Sequence, residues 1–217
     1  MLNNNLLEQS LSLFQEYYVN NNNIFDTLPL YDFADYINGA AFKPKELGYI
    51  GLPVIKIAEL KAGITDSTQY FSGTKDAKYL VSNKDILFSW SGNPETSIDV
   101  FIWTAGTGIL NQHTFNVQSK FSCRWFTYLL LKWHKPIFTQ IASNKQTTGL
   151  GHVTVGDLKR LTFPFDLNKI QTFENMISPI MELYFNNLME NQSLATMRDT
   201  LLPRLMSSEL DLSALDL

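Results

Sequence analysis

Near its C-terminal end the chain contains a long stretch without glycine, and this stretch constrains the fold more than any other feature. Across residues 168–206 no glycine occurs. From residue 170 to residue 188 apolar residues recur every three or four positions, which is typical of one face of an α-helix and close to a heptad, and three leucines extend the stripe. At roughly 1.5 Å per residue the stretch predicts a helical rod of about 58 Å. The apolar positions are Ile170, Phe173, Ile177, Ile180, Tyr184, Leu188, Leu194, Leu201 and Leu205.

One compact domain does not need so long a rod, so we expect this apolar face to pair with a helix of another chain. Packing back onto its own domain is the alternative. Pro179 predicts a kink, or a restart with Ser178 as the N-cap, and a lone polar Asn191 can fix the register. The predicted pairing face, called the seam below, consists of Phe173, Ile177, Ile180, Tyr184, Leu188, Asn191, Leu194, Leu201 and Leu205.

The N-terminal segment predicts a shorter helix over residues 6–19. Leu7, Leu11, Phe14 and Tyr18 are spaced by four, three and four positions and share one helical face. Four consecutive asparagines at positions 20–23 favour turns and end the helix.

The middle of the chain predicts short strands around one helix. The helix covers residues 123–135 and stops before Pro136, which cannot continue it. Combined with the C-terminal rod, this pattern predicts an α+β fold, in which a globular mixed α/β domain precedes a long coiled-coil helix. The predicted strands cover residues 52–57, 85–90, 99–105, 108–117 and 161–165.

The distribution of charge points to a polyanionic partner, although the whole chain carries a net charge of −4. Residues 40–165 contain 14 basic and 8 acidic side chains, whereas residues 1–39 and 166–217 each carry a net charge of −5. A basic middle between acidic ends suits a domain that neutralises phosphates. Ordinary scatter of charge is the alternative.

Several functional classes are disfavoured by what the sequence lacks. A single cysteine excludes an internal disulfide, and no apolar run approaches the roughly 18 residues of a membrane span. We therefore expect a cytoplasmic protein without membrane contact. No nucleotide-binding glycine motif, nucleophile elbow or paired-histidine zinc motif occurs, and no cofactor is predicted.

Two acidic–spacer–lysine strings leave an enzymatic alternative open, because nucleases use such strings to hold a metal ion. They are Glu59-Leu60-Lys61 and Asp157-Leu158-Lys159. Under this alternative the chain is a small stand-alone DNA nuclease or modification enzyme.

Polar loops supply candidate base-contacting side chains. Asn and Gln can form paired hydrogen bonds with adenine, and Lys can bind guanine. The predicted DNA-contacting residues are Ser72, Thr74, Lys75, Lys78, Ser91, Asn93, Asn111, Gln112, His113, Asn144, Lys145, Gln146, Thr147 and Thr148.

Five stretches, in order, resemble specificity subunits of type I restriction-modification systems. Between residues 51 and 210 they carry no catalytic signature, and the resemblance lies in the ordered set. One departure precedes the strand at residues 85–90, where the family often has Gly-Asp and this chain has Lys84-Asp85. The stretches are GLPVIKIAELKAG (51–63), KYLVSNKDILFSWSG (78–92), VFIWTAGTGILNQHTFNV (100–117), TTGLGHVTVGDLKRLTFPF (147–165) and ENQSLATMRDTLLPRLMSSEL (190–210).

The resemblance implies a non-catalytic DNA-specificity subunit that recognises one half of a bipartite target. Residues 1–23 resemble the end of a spacer helix followed by a linker, residues 24–166 a target-recognition domain, and residues 167–217 a conserved coiled-coil helix. The implied partners are double-stranded DNA, modification subunits and, through these, restriction subunits. A full family member is about twice as long, so the chain resembles a C-terminal half subunit, either a natural half-length product or a truncation. We expect two copies to pair through the C-terminal helix, and pairing with a different N-terminal half is the alternative.

Overall fold

Aromatic rings from three distant parts of the chain meet in one core. The ring centroids of Phe14 and Phe126 lie 5.4 Å apart, and Phe173 lies 5.7 Å from Phe14 and 6.1 Å from Phe126. The structure is a computed structural model and describes residues 2–20, 26–146 and 149–207. The two terminal helices and the central helix thus share a single hydrophobic core.

Helices lie at both ends of the chain and between the strands. The predicted N-terminal helix is confirmed, and its Phe14 and Tyr18 are buried. A π-helical turn, Gln15–Asn20, extends it, and Pro44–Glu46 and Ala77–Tyr79 form 3-10 turns. The α-helices are α1 Leu2–Phe14, α2 Leu30–Phe33, α3 Ile57–Ala62, α4 Pro94–Ser97, α5 Arg124–Trp133, α6 Lys135–Asn144, α7 Val155–Arg160 and α8 Leu167–Met206.

The strands form two four-stranded sheets and two small ladders. The central sheet has the antiparallel order β2–β10–β6–β8, and the second sheet has the order β4–β3–β9–β5. β1 pairs with β12, and β7 with β11. In chain order the strands are β1 Thr27–Pro29, β2 Ala34–Asn38, β3 Leu52–Ile55, β4 Tyr70–Phe71, β5 Leu80–Val81, β6 Ile86–Ser89, β7 Ser91–Gly92, β8 Asp99–Ile102, β9 Gly108–Leu110, β10 Thr114–Ser119, β11 Gly151–His152 and β12 Thr162–Pro164.

Two sequence predictions need refinement in the middle of the chain. The strand predicted over residues 108–117 is divided into β9 and β10 by a turn, which leaves Asn111 to His113 between the strands. The predicted helix ends at Trp133, and Pro136 lies in the first turn of α6, where its missing N–H is not needed. A proline expected only to stop one helix therefore also begins the next.

The predicted long helix is confirmed, but the restart at Pro179 with Ser178 as the N-cap is wrong. α8 runs without a break from Leu167 to Met206. The hydroxyl of Ser178 donates to the carbonyl oxygen of Glu174 at 2.6 Å, a bond within the helix and not a cap. Ile177 and Met181, on either side of Pro179, are fully buried and hold the helix on the domain despite the missing backbone hydrogen bond.

Candidate nucleic-acid interface

Connecting segments of the central sheet converge at one of its edges. β2 and β6 end there, and β8 and β10 begin there, because neighbouring strands run antiparallel. The register places Ser89 opposite both Thr114 and Asp99, and Asn38 opposite Phe115. Segments 38–40, 90–93, 111–113 and 151–152 are therefore brought together, and we name them the loop edge.

Two predicted groups of DNA-contacting residues meet at the loop edge. Ser91 pairs with His152 in the short ladder of β7 and β11. Asn111 forms an isolated bridge with Ala40, and the exposed His113 lies with its Nε2 3.3 Å from Nε2 of Gln112. Pairings across 61 positions (Ser91 and His152) and 71 positions (Ala40 and Asn111) thus bring polar groups onto one surface.

The side chain of Asn93 has a structural task at this edge. Its Oδ1 accepts the backbone N–H groups of Glu95 at 3.0 Å and Thr96 at 3.1 Å, so it caps α4. Only its amide NH2 group is left by this arrangement as a hydrogen-bond donor for a base edge.

The third predicted group, residues 144–148, includes both exposed and ion-paired side chains. Asn144 ends α6 and is exposed, as is Gln146, whereas Thr147 and Thr148 lie outside the described residues. The ammonium group of Lys145 donates to the carboxylate of Asp157, whose side chain is only 4% exposed. Since this ion pair, which Arg160 shares, holds the ammonium group against the domain, Lys145 is a poor candidate for a free cation at a phosphate.

The fourth predicted group lies on the second sheet and adjoins the loop edge. Ser72 and Thr74 are exposed in the segment that follows β4. Lys75 donates from Nζ to the carbonyl oxygen of Ala41 at 3.2 Å, next to the residue that bridges Asn111. Lys78 forms an exposed 3.3 Å ion pair with Asp76.

Ion pairing divides the cations of the basic middle into two sets. Lys43, Lys45 and Lys75, which lie on the segments next to the loop edge, form no ion pair within the described ranges. The cations of the basic middle that form no ion pair there are Lys43, Lys45, Lys56, Lys61, Lys75, Arg124 and Lys159. Others are held in ion pairs, which reduces the number available for phosphates. The ion pairs are Lys78 with Asp76, Lys84 with Glu182, Lys120 with Asp35, Lys132 and Lys135 with the shared Asp99, and Lys145 and Arg160 with the shared Asp157.

The two acidic–spacer–lysine strings are helix caps, so the structure gives the enzymatic alternative no support. The buried Glu59 accepts the backbone N–H of Lys56 at 3.0 Å at the start of α3. Asp157 accepts the backbone N–H of Thr154 at 2.7 Å at the start of α7. Lys159 lies 4.9 Å from the ring centroid of Tyr31. Among the residues that the structure describes, no three His, Cys, Asp or Glu side chains are grouped so that they could hold a metal ion.

The environment of Asp157 fits this structural role. Burial alone would raise its pKa, but hydrogen bonds from Lys145, Thr154 and Arg160 hold the pKa of this carboxyl well below its usual range. The carboxylate is consequently ionised and fully engaged at neutral pH.

Sequence reasoning missed an exposed apolar pair at the start of the second sheet. Tyr49 and Ile50, in the segment before β3, are 91% and 81% exposed. The signal for them was present in the sequence, where Gly48 and Gly51 bracket the two large side chains.

The structure contradicts the expectation that the whole seam is uncovered within one chain. Phe173, Ile177 and Tyr184 are buried against the chain's own domain, and Ile180 and Leu188 are partly buried there. Their rings and methyl groups fill the core formed with α1 and α5, so they cannot face a second helix. Asn191, Leu194, Leu201 and Leu205 are exposed.

Comparison with known proteins gives one family match. The model of the family described as the type I restriction modification DNA specificity domain matches residues 6–193. No curated protein sequence matches the chain. Among the described residues, no helix combines the length and apolar character needed to cross a membrane.

Three solved structures share the fold at low sequence identity. The HsdS subunit from Thermoanaerobacter tengcongensis is 12% identical with a TM-score of 0.57, and the match covers 84% of this chain and 45% of that one. The type I restriction-modification system S subunit from M. genitalium is 14% identical with a TM-score of 0.59, over 94% of this chain and 55% of that one. A structure described as the basis of complex assembly and conformational transition of the type I R-M system is 12% identical with a TM-score of 0.56, over 93% and 50%. The chain therefore spans about half the length of these solved chains.

Proposed function

Because the chain belongs to the family of type I restriction-modification DNA specificity domains, we propose that it is a non-catalytic subunit that recognises one half of a bipartite DNA target. The observation that carries the proposal is the family match over residues 6–193, which includes both the loop edge and most of α8. The loop edge supports it with polar side chains from several separate segments on one surface.

The proposed partners follow from the same role. A subunit that selects DNA without modifying it needs modification subunits for methylation and, through them, restriction subunits for cleavage. Such a complex acts on DNA in the cytoplasm.

We further propose that two copies pair through the exposed end of α8. Leu194, Met197, Leu201 and Leu202 are between 44% and 54% exposed, and their spacing suits a helix–helix contact. An antiparallel pair would place two identical recognition domains at opposite ends of a two-fold dimer. Two copies also match the length of the solved S subunits, of which one copy spans about half.

Co-purification with a modification subunit, followed by mapping of the methylated sites, tests this function. We expect methylation at an interrupted palindrome whose half-sites lie about one helical turn apart, roughly 34 Å. Methylation without sequence preference would contradict the specificity role. A non-palindromic site would reject only the symmetric pair.

Substitutions can separate base contacts from phosphate contacts in the assembled complex. Gln112→Ala should relax one base position at a cost of about 1–3 kcal/mol, and Asn144→Ala and Gln146→Ala provide the same test. Lys45→Ala should weaken binding to all sequences and flatten the salt dependence by about one unit. If every loop substitution weakens all sequences equally, the predicted base contacts are wrong.

The isolated chain should neither methylate nor cleave DNA. Incubation of the purified protein with duplex DNA, Mg²⁺ and a methyl donor checks this expectation. Metal-dependent cleavage that is lost in Glu59→Ala would restore the enzymatic alternative.

A further inference from the structure

Residues 48–51, here called the tip, hold two adjacent large apolar side chains in solvent. Tyr49 is 91% exposed and Ile50 is 81% exposed. Exposure of both is unfavourable in the free protein, because the free energy falls when apolar surface leaves water. Single exposed apolar residues are ordinary, but an adjacent pair with almost no protein contact suggests a surface that a ligand buries.

The backbone holds the tip in a fixed position on the second sheet. The N–H of Gly48 donates to the carbonyl oxygen of Tyr70, and the N–H of Tyr70 donates to that of Gly48, each at 2.9 Å. Gly51 has a φ of +114°, and a Cβ there would lie 2.2 Å from the carbonyl oxygen of Phe71. Because β4 holds both ends of the tip, binding need not order the loop first.

The surroundings of the tip are positively charged. Lys43, Lys45 and Lys75 lie near it and form no ion pair among the described residues. Glu46 is the carboxylate among them; a hydrogen bond from the backbone N–H of Lys43, together with the nearby lysines, lowers its pKa. Three cations for one carboxylate leave a net positive charge beside an apolar projection.

The tip and the loop edge lie at opposite ends of β3. The tip precedes Leu52, whereas the N–H of Asn111 donates to the carbonyl oxygen of Ile55 at the other end of the strand. The four residues of β3 span roughly 13 Å, so one duplex that lies on the loop edge can also reach the tip.

We propose that the tip enters a groove of the target duplex and wedges Tyr49 and Ile50 against a base step, while Lys43, Lys45 and Lys75 bind the flanking phosphates. The proposal rests on the proposed DNA-specificity function and adds residues to it. Apolar wedges of this kind partly unstack a base step and add contact that depends on how easily the step deforms.

Duplex DNA fits this surface better than a protein partner does. Lysine is depleted in protein–protein interfaces, whereas lysines beside a groove-binding element are the usual means of neutralising phosphates. The three lysines near the tip outnumber the single carboxylate of Glu46 among them and therefore favour DNA.

Three variants test the wedge in the complex with modification subunits. The double variant Tyr49→Ser/Ile50→Ser removes it, and Tyr49→Phe keeps the ring. Ile137→Ser is the matched control, since Ile137 is a 40% exposed apolar residue on α6. The dissociation constant for a duplex that carries the methylated site is measured at several salt concentrations. Thermal unfolding verifies that each variant is folded.

We expect the double variant to bind about 5- to 150-fold more weakly with an unchanged salt slope, because it loses stacking and no phosphate contact. Tyr49→Phe and Ile137→Ser should bind like the wild type. Wild-type affinity in the folded double variant would overturn the proposal, and so would loss of the modification subunit from that variant, which would assign the tip to a protein contact. If the wild-type complex binds DNA without sequence preference, the proposed specificity function is wrong. The affinities of the wild type and the double variant for any duplex then still show whether the tip contacts DNA.

Discussion

The first half of α8, residues 167–192, and its second half, residues 193–206, carry one continuous apolar stripe but have opposite surroundings. Ile170, Phe173 and Ile177 are fully buried, whereas Leu194 and Leu201 are 54% and 44% exposed. A helical period establishes which residues share a face, but not what covers that face. In this chain the domain covers the first half, and the second half extends beyond it.

The transition lies close to Gln192. Nε2 of this side chain is 3.6 Å from the position that a Cβ on Gly63 would occupy, at the end of α3. Beyond it, Ala195 is partly buried and the rest of the helix is exposed as far as Met206. About fifteen residues, or roughly 20 Å of helix, therefore project from the domain.

The comparison predicts the largest loss of stability at Phe173. Phe173→Ala should lower the free energy of unfolding by about 3–5 kcal/mol, because it empties the space between the rings of Phe14 and Phe126. Met176→Ala is the control on the solvent side of the same half, and it should change stability by less than about 0.5 kcal/mol. Equal effects in urea unfolding would mean that the first half is not held by the core.

A smaller effect is expected at Glu174, which holds the first half on α5. Its carboxylate accepts the backbone N–H groups of Trp125 at 3.1 Å and Phe126 at 2.7 Å. Glu174→Ala leaves these groups without their acceptor and should cost about 1–3 kcal/mol near pH 4.5. The exposed Glu190 provides the control variant Glu190→Ala.

The pH dependence of the Glu174 variant has a definite sign. Burial raises the pKa of Glu174 above 4.5, against the lowering effect of its backbone donors. The folded carboxyl then binds its proton more tightly than the unfolded one, so its contribution is greatest below pH 4.5 and falls as the pH rises through the raised pKa. Unfolding free energies measured across this window should show the cost of Glu174→Ala shrinking, and a growing cost would contradict the assignment.

The smallest effect is expected at Glu182, which links the first half to the turn before β6. Its carboxylate lies 2.7 Å from Nζ of Lys84, and both side chains are partly exposed. Glu182→Gln should cost no more than about 1 kcal/mol and less in high salt, because water screens such pairs. Lys84 has a φ of +75°, in the region that favours the glycine of the family string, so this ion pair is formed from a strained backbone position.

Much of the fold was predictable because its local signals are strong. The spacing of apolar residues and the positions of prolines predicted α1, α5, α8 and most strands of the central sheet. The effect of Pro179 was not predictable, since burial of Ile177 and Met181 outweighs one missing hydrogen bond. Which seam residues the domain buries could not be predicted from the sequence either, because this depends on the contacts of Phe173 with two other helices.

The candidate interface was predictable only in part. Polar loops can be recognised by residue type, but their convergence depends on strand register, which pairs Ser91 with His152 across 61 positions. The ion pairs of individual side chains could not be predicted either, since nothing in the local sequence indicates that Lys145 pairs with Asp157. Whether the loop residues contact bases stays a prediction.

The central claim is that α8 packs on its own domain as far as residue 192 and pairs with a second copy beyond it. Light scattering at moderate protein concentration tests this most directly. For the wild type and for the control Leu183→Asp we predict a mass twice the 24.8 kDa of one chain. For Leu194→Asp/Leu201→Asp we predict the mass of a single chain, with an unchanged unfolding midpoint. A wild-type monomer, or a dimer that survives the double substitution, would contradict the claim.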